Sequence, residues 1–370
     1  MTFPSGDGPT SRPTEIVAPP QRVERPQSSL LLDSIDGVQA SFDAATAQAG
    51  VIQRDVLLAG QRVRLQFAGP SLIPAIEPAF DHLVGNYDAL GTPSLTVGVW
   101  DAASTGVRPV PLPPNVSHHG ENGPRYHGEH DGVVVHAGDA TLNVVEAARG
   151  KALYYVPDAN NVPWYQKAAP LKDVVHAWAG WHNLAFIHAA AVGHPDGGVL
   201  LAGAAGSGKS TTSLACLRAG LGYAGDDYVL VDVERAYVHS LYSSAKLEWE
   251  NLDRHPRLFQ AVNSRADAKA VALLSRDGPE RIVSGFPLRA MLLPTVTGRD
   301  ETRVVAATAG RALLGLAPSS VLQMPGQSQP ALGAMTRLVE RVPAFRLELG
   351  TNVSAVPDVV ESVIKNLRSR

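Results

Sequence analysis

Cysteine is nearly absent from this sequence: its one copy, Cys216, excludes an internal disulfide and a metal site made of several cysteines. Long apolar runs are missing as well, since none approaches the roughly 18 consecutive residues of a membrane-spanning helix. The first residues, MTFPSGDGPTSRPTE, lack the basic start and apolar stretch of a secretion signal. We therefore expect a cytoplasmic protein that is neither secreted nor inserted into a membrane.

An excess of positive charge is missing too. The 32 basic and 35 acidic residues give a net charge of -3, which provides no cationic field for nucleic acid or for an anionic membrane. We therefore expect no nucleic-acid partner and no membrane partner. What the chain does have is length, because 370 residues, 45% of them apolar, suffice for two domains with a core each.

Three regions differ in composition. Residues 1–30 carry six prolines among Ser, Thr and Arg, which predicts a flexible tail. Residues 31–170 hold short apolar runs between Gly, Pro and Asn, which predicts a smaller, strand-rich domain of mixed α+β structure. One segment of it, HHGENGPRYHGEHD at 118–131, has no periodicity and predicts a polar loop. Residues 171–370 begin with an amphipathic helix and continue as strand, glycine-rich loop, helix and strand, which predicts an α/β domain.

The glycine-rich loop carries a complete phosphate-binding motif. Residues 203–210, GAAGSGKS, match G-x-x-x-x-G-K-[ST] between an apolar strand and a helical segment. Backbone N–H groups of such a loop surround phosphate oxygens, Lys209 reaches the β- and γ-phosphates, and the Ser210 hydroxyl binds Mg²⁺. The alternative is a glycine-rich turn that binds nothing. The residues predicted to bind the nucleotide are Gly203, Ala204, Ala205, Gly206, Ser207, Gly208, Lys209, Ser210 and Thr211.

Two adjacent acids follow the loop at a distance that returns them to it. A helix from Ser210 to Ala219 leads the chain roughly 15 Å away, and Gly220 is suited to end it. Five extended residues then cover roughly 16 Å, which brings Asp226 and Asp227 back to the level of the phosphates. One carboxylate can hold Mg²⁺ while its neighbour accepts a proton from a hydroxyl. The alternative is an Asx-rich turn, or a pair of acids that supports the site without contacting the ligand.

His188 is a further candidate. The sequences on either side of His194-Pro195-Asp196-Gly197 predict a hairpin, in which pairing of Gly193 with Gly198 places His188 opposite Gly203. An imidazole there can assist proton transfer or orient an aspartate. The alternative is a structural hydrogen-bond donor.

These motifs together resemble a known family. His188, the loop at 203–210 and the sequence GDD at 225–227 resemble HPr kinase/phosphorylase, a bacterial P-loop enzyme that phosphorylates a seryl hydroxyl of a carrier protein and is structurally akin to ATP-dependent phosphoenolpyruvate carboxykinase. The close resemblance covers about 185–232. Later segments, such as SLYSSAKL at 240–247, look like HPr-kinase-related proteins of bacterial biosynthetic loci, including kinases similar to those of lasso-peptide precursors.

The resemblance implies a C-terminal P-loop kinase domain of the HPr kinase/phosphoenolpyruvate carboxykinase type, with ATP and Mg²⁺ as cofactors. It implies that Asp226 matches the general base and Asp227 the magnesium-associated acid. The sequence departs from the family after these acids, where SLYSSAKLEWENL (240–252) replaces a glycine-rich acidic signature tied to the phosphorylase reaction. This departure argues against phosphorylase activity and against HPr as the substrate.

Three further side chains are candidates at the reacting phosphate. Lys246, on a strand-like segment, and Arg289, between apolar neighbours, are candidate catalytic cations, and the alternatives are a solvated lysine and a structural salt bridge. Glu248 is a candidate second metal carboxylate.

The sequence thus predicts an ATP-dependent kinase that transfers the γ-phosphoryl group to a hydroxyl, foremost that of Ser or Thr in a peptide or small protein. Two alternatives stay open: a kinase of a small-molecule alcohol, and an ATP-binding regulatory module that transfers nothing. A homo-oligomer is compatible with either.

Overall fold

The computed structural model describes residues 27–111, 117–120, 123–130, 132–138, 141–253, 260–321 and 328–368. It is a mixed α/β structure with two large mixed sheets and one small one. The elements of the first sheet and its surroundings are α1 (Gln27–Ala49), β1 (Val51–Leu58), β2 (Gln61–Ala68), α2 (Ile73–Ile76), β3 (Leu95–Asp101), α3 (Ala102–Thr105), β4 (Ser117–Gly120), β5 (Gly123–His130), β6 (Val133–Gly138), β7 (Thr141–Glu146), β8 (Lys151–Val156), α4 (Trp164–Ala168) and α5 (Lys172–Trp181).

The elements that follow build the second large sheet, its helices and a short two-stranded sheet. They are β9 (Leu184–Ile187), β10 (Ala190–His194), β11 (Gly197–Leu201), α6 (Lys209–Arg218), β12 (Gly222–Gly225), β13 (Val229–Asp232), β14 (Tyr237–His239), β15 (Ser244–Leu247), α7 (Trp249–Asp253), β16 (Ala270–Leu273), α8 (Leu274–Asp277), β17 (Gly285–Val296), β18 (Arg303–Ala307), α9 (Ala309–Val321), α10 (Ser328–Arg341), β19 (Ala344–Leu349) and α11 (Val356–Arg368). Short 3₁₀ helices lie at Glu77–Leu83, Asp88–Leu90, Ala147–Arg149, Ala159–Asn161, Pro279–Arg281 and Val353–Ala355.

The first sheet has the order β1-β2-β3-β8-β7-β6-β5-β4. Its pairs are antiparallel except β2 with β3 and β3 with β8. α1 covers one face through Ile35, Val38 and Phe42, which pack with Trp100 of β3. The other face packs on α5, whose buried side chains include Val174 and Trp178.

The histidine-rich segment corrects an expectation. We expected a polar loop over 118–131, but the described part of it forms β4 and β5 at the edge of the first sheet. β5 pairs with β6 from Tyr126 to His130, so that His127 lies opposite His136. Such a ladder is made by backbone N–H and C=O groups. It therefore does not require the alternation of apolar and polar side chains that predicts a strand from sequence.

Two predicted boundaries, at residues 30 and 170, enclose the first domain. α1 begins at Gln27, directly after Pro26, so residues 27–30 are helical rather than part of a tail; residues 1–26 lie outside the described residues. The core of the first sheet continues through α5 into Phe186 of β9 and Leu230 of β13. Packing therefore crosses residue 170, and the domain boundary stays a prediction.

The second large sheet places the phosphate-loop strand in its interior. β11 lies between β10, which is antiparallel to it, and β17, which is parallel to it, and β17 is in turn parallel to β19. Helices α6 and α11 cover one face, and α9 and α10 cover the other. The lone cysteine, Cys216 of α6, is fully buried in the first of these layers. Within the described ranges, no helix has both the length and the apolar character needed to cross a membrane.

Candidate functional site

The loop between β11 and α6 has the conformation that its glycines permit. Gly206 (φ +77°) and Gly208 (φ +105°) both lie in the region that side chains disfavour. A Cβ atom on Gly208 would lie 2.4 Å from Cδ1 of Leu349, so a larger residue there would force Leu349 to shift. α6 begins directly afterwards at Lys209. The predicted succession of strand, loop and helix is present.

The side chain of Lys209 lies inside this loop. Its Nζ donates hydrogen bonds to the carbonyl oxygens of Gly203 (2.7 Å) and Ala204 (3.2 Å). Burial lowers the pKa of this lysine, and the charge of Lys269 adds to that effect, while the two aspartates oppose it. The loop thus encloses a cation at the position where an anionic ligand would meet it.

The chain returns to the loop as its residue spacing predicts. α6 ends at Arg218, Gly220 follows with φ +99°, and β12 leads back along β10 to Asp226. Asp226 is almost fully buried; it accepts a hydrogen bond from Ser213 Oγ at 3.0 Å and a second one from Ser210. Burial, reinforced by the charge of Asp227, raises the pKa of Asp226 to about 6. Asp226 is therefore tied to the hydroxyl that the motif assigns to Mg²⁺.

Asp227 has different partners, although it is the next residue. Its Oδ1 lies 2.7 Å from Nε2 of His188, and its Oδ2 forms an ion pair with Nζ of Lys246. Burial by itself would raise the pKa of Asp227, but the Lys246 charge and the His188 hydrogen bond outweigh it and hold the pKa well below its usual range. Asp227 is consequently an ionised carboxylate between two cationic or proton-carrying groups.

The contact of His188 with Asp227 does not follow from the predicted hairpin. Gly193 does pair with Gly198, as expected, but the ladder between β10 and β11 ends at Ala190 and Leu201. The chain before Ala190 moves to another neighbour, because β9 pairs with β13. His188 lies in the gap between β9 and β10, not opposite Gly203, and its backbone N–H donates to Ser320 Oγ at 3.0 Å.

Lys246 extends from β15 toward the same acid, and two aromatic rings flank it. Its Nζ lies 5.7 Å from the ring centroid of Tyr228 and 6.0 Å from that of Trp164, distances at which cation–π attraction operates. Sequence reasoning missed both aromatics. Tyr228 follows the acid pair directly, which was a usable signal, whereas nothing in the sequence connects Trp164 to this site.

Two candidates do not join this arrangement. Arg289 lies on β17 level with the start of β11, where its Nη2 donates to the Asp196 carbonyl at 2.9 Å. At about 3.3 Å per residue, the start of β11 is roughly 16 Å from the phosphate loop, so Arg289 is structural here. Glu248 is exposed and pairs with Lys269 at 2.9 Å instead of facing Asp226 or Asp227.

A large cavity opens beside the loop. It has a volume of about 990 Å³ and lies at the carboxyl ends of the parallel strands β11 and β17, next to the first turns of α9. Open α/β sheets bind ligands at this edge. The lining residues are Ala202, Gly203, Ala204, Ala205, Gly206, Ser207, Leu293, Pro294, Thr295, Val296, Thr308, Gly310, Arg311, Leu314 and Gly315.

Comparison with known proteins gives little guidance. No family model matches the chain, and no curated protein matches it. Among solved structures, the HPr(Ser) kinase/phosphatase from Coxiella burnetii is similar over 50% of this chain and 96% of its own, with 14% sequence identity and a TM-score of 0.24. A likeness at this level does not establish a shared fold, so the functional assignment depends on the residues of the site.

Proposed function

We propose that the chain is an ATP-dependent kinase that transfers the γ-phosphoryl group to a hydroxyl. The observation that carries this proposal is the pair Asp226 and Asp227, held beside a complete phosphate loop with separate partners. A protein that only binds a nucleotide needs one acid near the metal. A kinase needs a second one that accepts the proton of the acceptor hydroxyl.

The residues present fit Mg²⁺ and a nucleoside triphosphate. A Cβ on Gly206 would point into open space, so the loop backbone is accessible there, and Ser207 Oγ is buried without a partner among the described residues. The Ser210 hydroxyl and a carboxylate are the oxygen ligands that Mg²⁺ prefers. When bound, ATP would supply the phosphoryl group, and Mg²⁺ would neutralise the charge that develops on it.

The contacts support distinct roles for the two acids. Asp226 is hydrogen-bonded to Ser210, the residue that the motif assigns to Mg²⁺. We therefore propose that Asp226 lies next to the metal ion. A bound cation there would lower the raised pKa of Asp226 again. Asp227 is the more accessible of the two carboxylates and faces His188 and Lys246, so we make it the proton acceptor. The sequence resemblance assigns these roles the other way round. A general base is judged first by reach and then by pKa, and reach favours Asp227.

His188 and Lys246 then act through Asp227. The imidazole is placed to orient the carboxylate and to take up the proton from it, because their atoms lie 2.7 Å apart. The Lys246 ammonium keeps the carboxylate ionised and brings a positive charge to the side of the site from which the acceptor approaches. Ser or Thr of a peptide or small protein is the acceptor that the family resemblance favours.

The decisive experiment combines binding with transfer. We expect calorimetry to show Mg²⁺-dependent ATP binding, lost in Lys209→Ala and retained in Lys151→Ala, which alters an exposed lysine of the first sheet. We expect labelled γ-phosphate to appear on a peptide of a Ser/Thr library. Label found only in a metabolite pool would instead support a small-molecule kinase. ATP binding without any transfer would support the regulatory module, and equal affinity in wild type and Lys209→Ala would overturn nucleotide binding at this loop.

A further inference from the structure

The cavity beside the phosphate loop has a wall that the motif does not account for. Leu314 of α9 and Val296 at the end of β17 both line it, and their exposed fractions are 74% and 67%. Large aliphatic side chains are normally buried, and single exposed ones need no explanation. Here two of them border one cavity that also contains Gly206 and Ser207 of the loop.

The same wall carries a cation. Arg311, in the first turn of α9, lines the cavity and is exposed, and in the described ranges its side chain forms no hydrogen bond and no ion pair. Its backbone N–H donates a hydrogen bond to Thr308 Oγ1 at 3.3 Å. An arginine with no carboxylate partner among the described residues, at the mouth of a predicted phosphate loop, complements an anionic ligand.

These two features have different chemistry and line the same cavity as the loop, whereas Asp226 and Asp227 do not line it. A nucleoside triphosphate has the matching order of groups: a flat base with apolar faces, then a ribose, then a charged phosphate chain. The volume of about 990 Å³ is at the upper end for small-molecule sites, so it has room for a nucleoside beside the loop.

We propose that this cavity binds the nucleoside half of the triphosphate, with the base against Val296 and Leu314 and with Arg311 contacting the phosphate chain. This inference rests on the proposed function, because it takes the loop as the site of the terminal phosphates. Asp227 and Lys246 do not line this cavity, so they stay available to the acceptor hydroxyl.

The test compares two probes, Mg²⁺-ATP and Mg²⁺ with inorganic triphosphate, by calorimetry on the full chain. We expect Leu314→Ser to lower ATP affinity about tenfold, corresponding to about 1.4 kcal/mol, and to leave triphosphate affinity within about twofold. We expect Arg311→Gln to lower the affinity for both probes about tenfold. The matched controls, Leu332→Ser and Arg337→Gln, change exposed residues of α10 that do not line the cavity.

The outcomes separate this inference from the function beneath it. If wild type binds both probes, Lys209→Ala loses both, and the Leu314 and Arg311 variants bind like their controls, the cavity does not hold the nucleoside. If Leu314→Ser weakens ATP and triphosphate equally, the base does not lie on Leu314. If wild type binds neither probe, the proposed function fails, and this inference fails with it.

Discussion

Nε2 of His188 lies 2.7 Å from Oδ1 of Asp227, although 39 positions separate the two residues. The contact exists because the chain leaves β9 and enters β10 at His188, beside the end of β12 where Asp227 follows. With Lys246 on the other carboxylate oxygen, both oxygens of Asp227 have a partner, and its orientation is fixed before any substrate arrives. Asp226 shares none of these contacts.

The separate partners predict different phenotypes for the two acids. Asp226→Asn should weaken Mg²⁺-dependent ATP binding, because the carboxylate next to Ser210 is lost. Asp227→Asn should leave ATP binding nearly unchanged but lower phosphoryl transfer by about 10² to 10⁴, the range for loss of a positioned general base. Calorimetry with and without Mg²⁺, run beside a transfer assay, measures both effects.

Ser213→Ala is the control for this comparison, since it removes a hydrogen bond to Asp226 and keeps both carboxylates. The reverse result, in which Asp227→Asn loses metal-dependent binding and Asp226→Asn loses transfer alone, would restore the assignment that the family resemblance implies. Full transfer activity in both variants would leave the chain without a carboxylate base.

Lys246 should control the ionisation of Asp227. Lys246→Met removes the positive charge that holds the pKa of Asp227 down, so the pKa should rise toward its usual range or above it, given its burial. We expect slower transfer and an acidic limb of the pH–rate profile that moves to higher pH. Lys246→Arg keeps the charge and should keep the limb near its wild-type position. A profile that does not move in Lys246→Met would show that this lysine does not act through Asp227.

Local rules predicted the parts of the site that one chain segment determines. The loop at 203–210, the helix after it and the return to Asp226 follow from motif and length, because helix rise and strand rise are nearly constant. The pairing of Gly193 with Gly198 follows from the turn between them. Lys246 was identified as a cation, but its contact with Asp227 was not, because β15 reaches the site through its own pairing with β16.

What depended on pairing between distant segments was not predictable. The predicted position of His188 opposite Gly203 is wrong, because the sequence does not show that β10 begins only at Ala190. It also does not show that the preceding strand, β9, pairs with β13. Arg289 was placed near the phosphates because its register against β11 was unknown. The strands β4 and β5 escaped detection because an edge ladder is made by the backbone and needs no apolar alternation.

Gly208 gives a test of the loop that leaves every charged group in place. Gly208→Ala puts a Cβ 2.4 Å from Cδ1 of Leu349 and forces a side chain into φ +105°. We expect a loss of about 1–3 kcal/mol in the free energy of unfolding and weaker ATP binding. Gly220→Ala is the control, because its φ is also positive but no atom of the described residues crowds the added Cβ within 4 Å. Nucleotide affinity that falls equally in both variants would argue against a specific fit at Gly208.

The last prediction concerns pH. Because burial raises the pKa of Asp226 from 3.8 to about 6 in the folded protein, folding favours its protonated form. The stability from this group is fully present below about pH 4 and is lost as pH rises through about 6. Asp227 stays ionised over this interval, since its pKa lies well below the usual range. Wild type should therefore lose stability relative to Asp226→Asn as pH increases.

Denaturant unfolding at pH 5 and pH 7.5, with EDTA present to exclude divalent cations, measures this difference. We expect the free energy of unfolding of wild type, relative to Asp226→Asn, to fall by about 1–2 kcal/mol between the two pH values. Other titrating groups are common to both proteins and cancel in the comparison. With Mg²⁺ and ATP added at pH 7.5, wild type should become more stable than Asp226→Asn, because the ionised carboxylate then has a cation beside it. A relative stability that is independent of pH would mean that Asp226 has an ordinary pKa, and it would remove the electrostatic reason for placing a metal ion next to it.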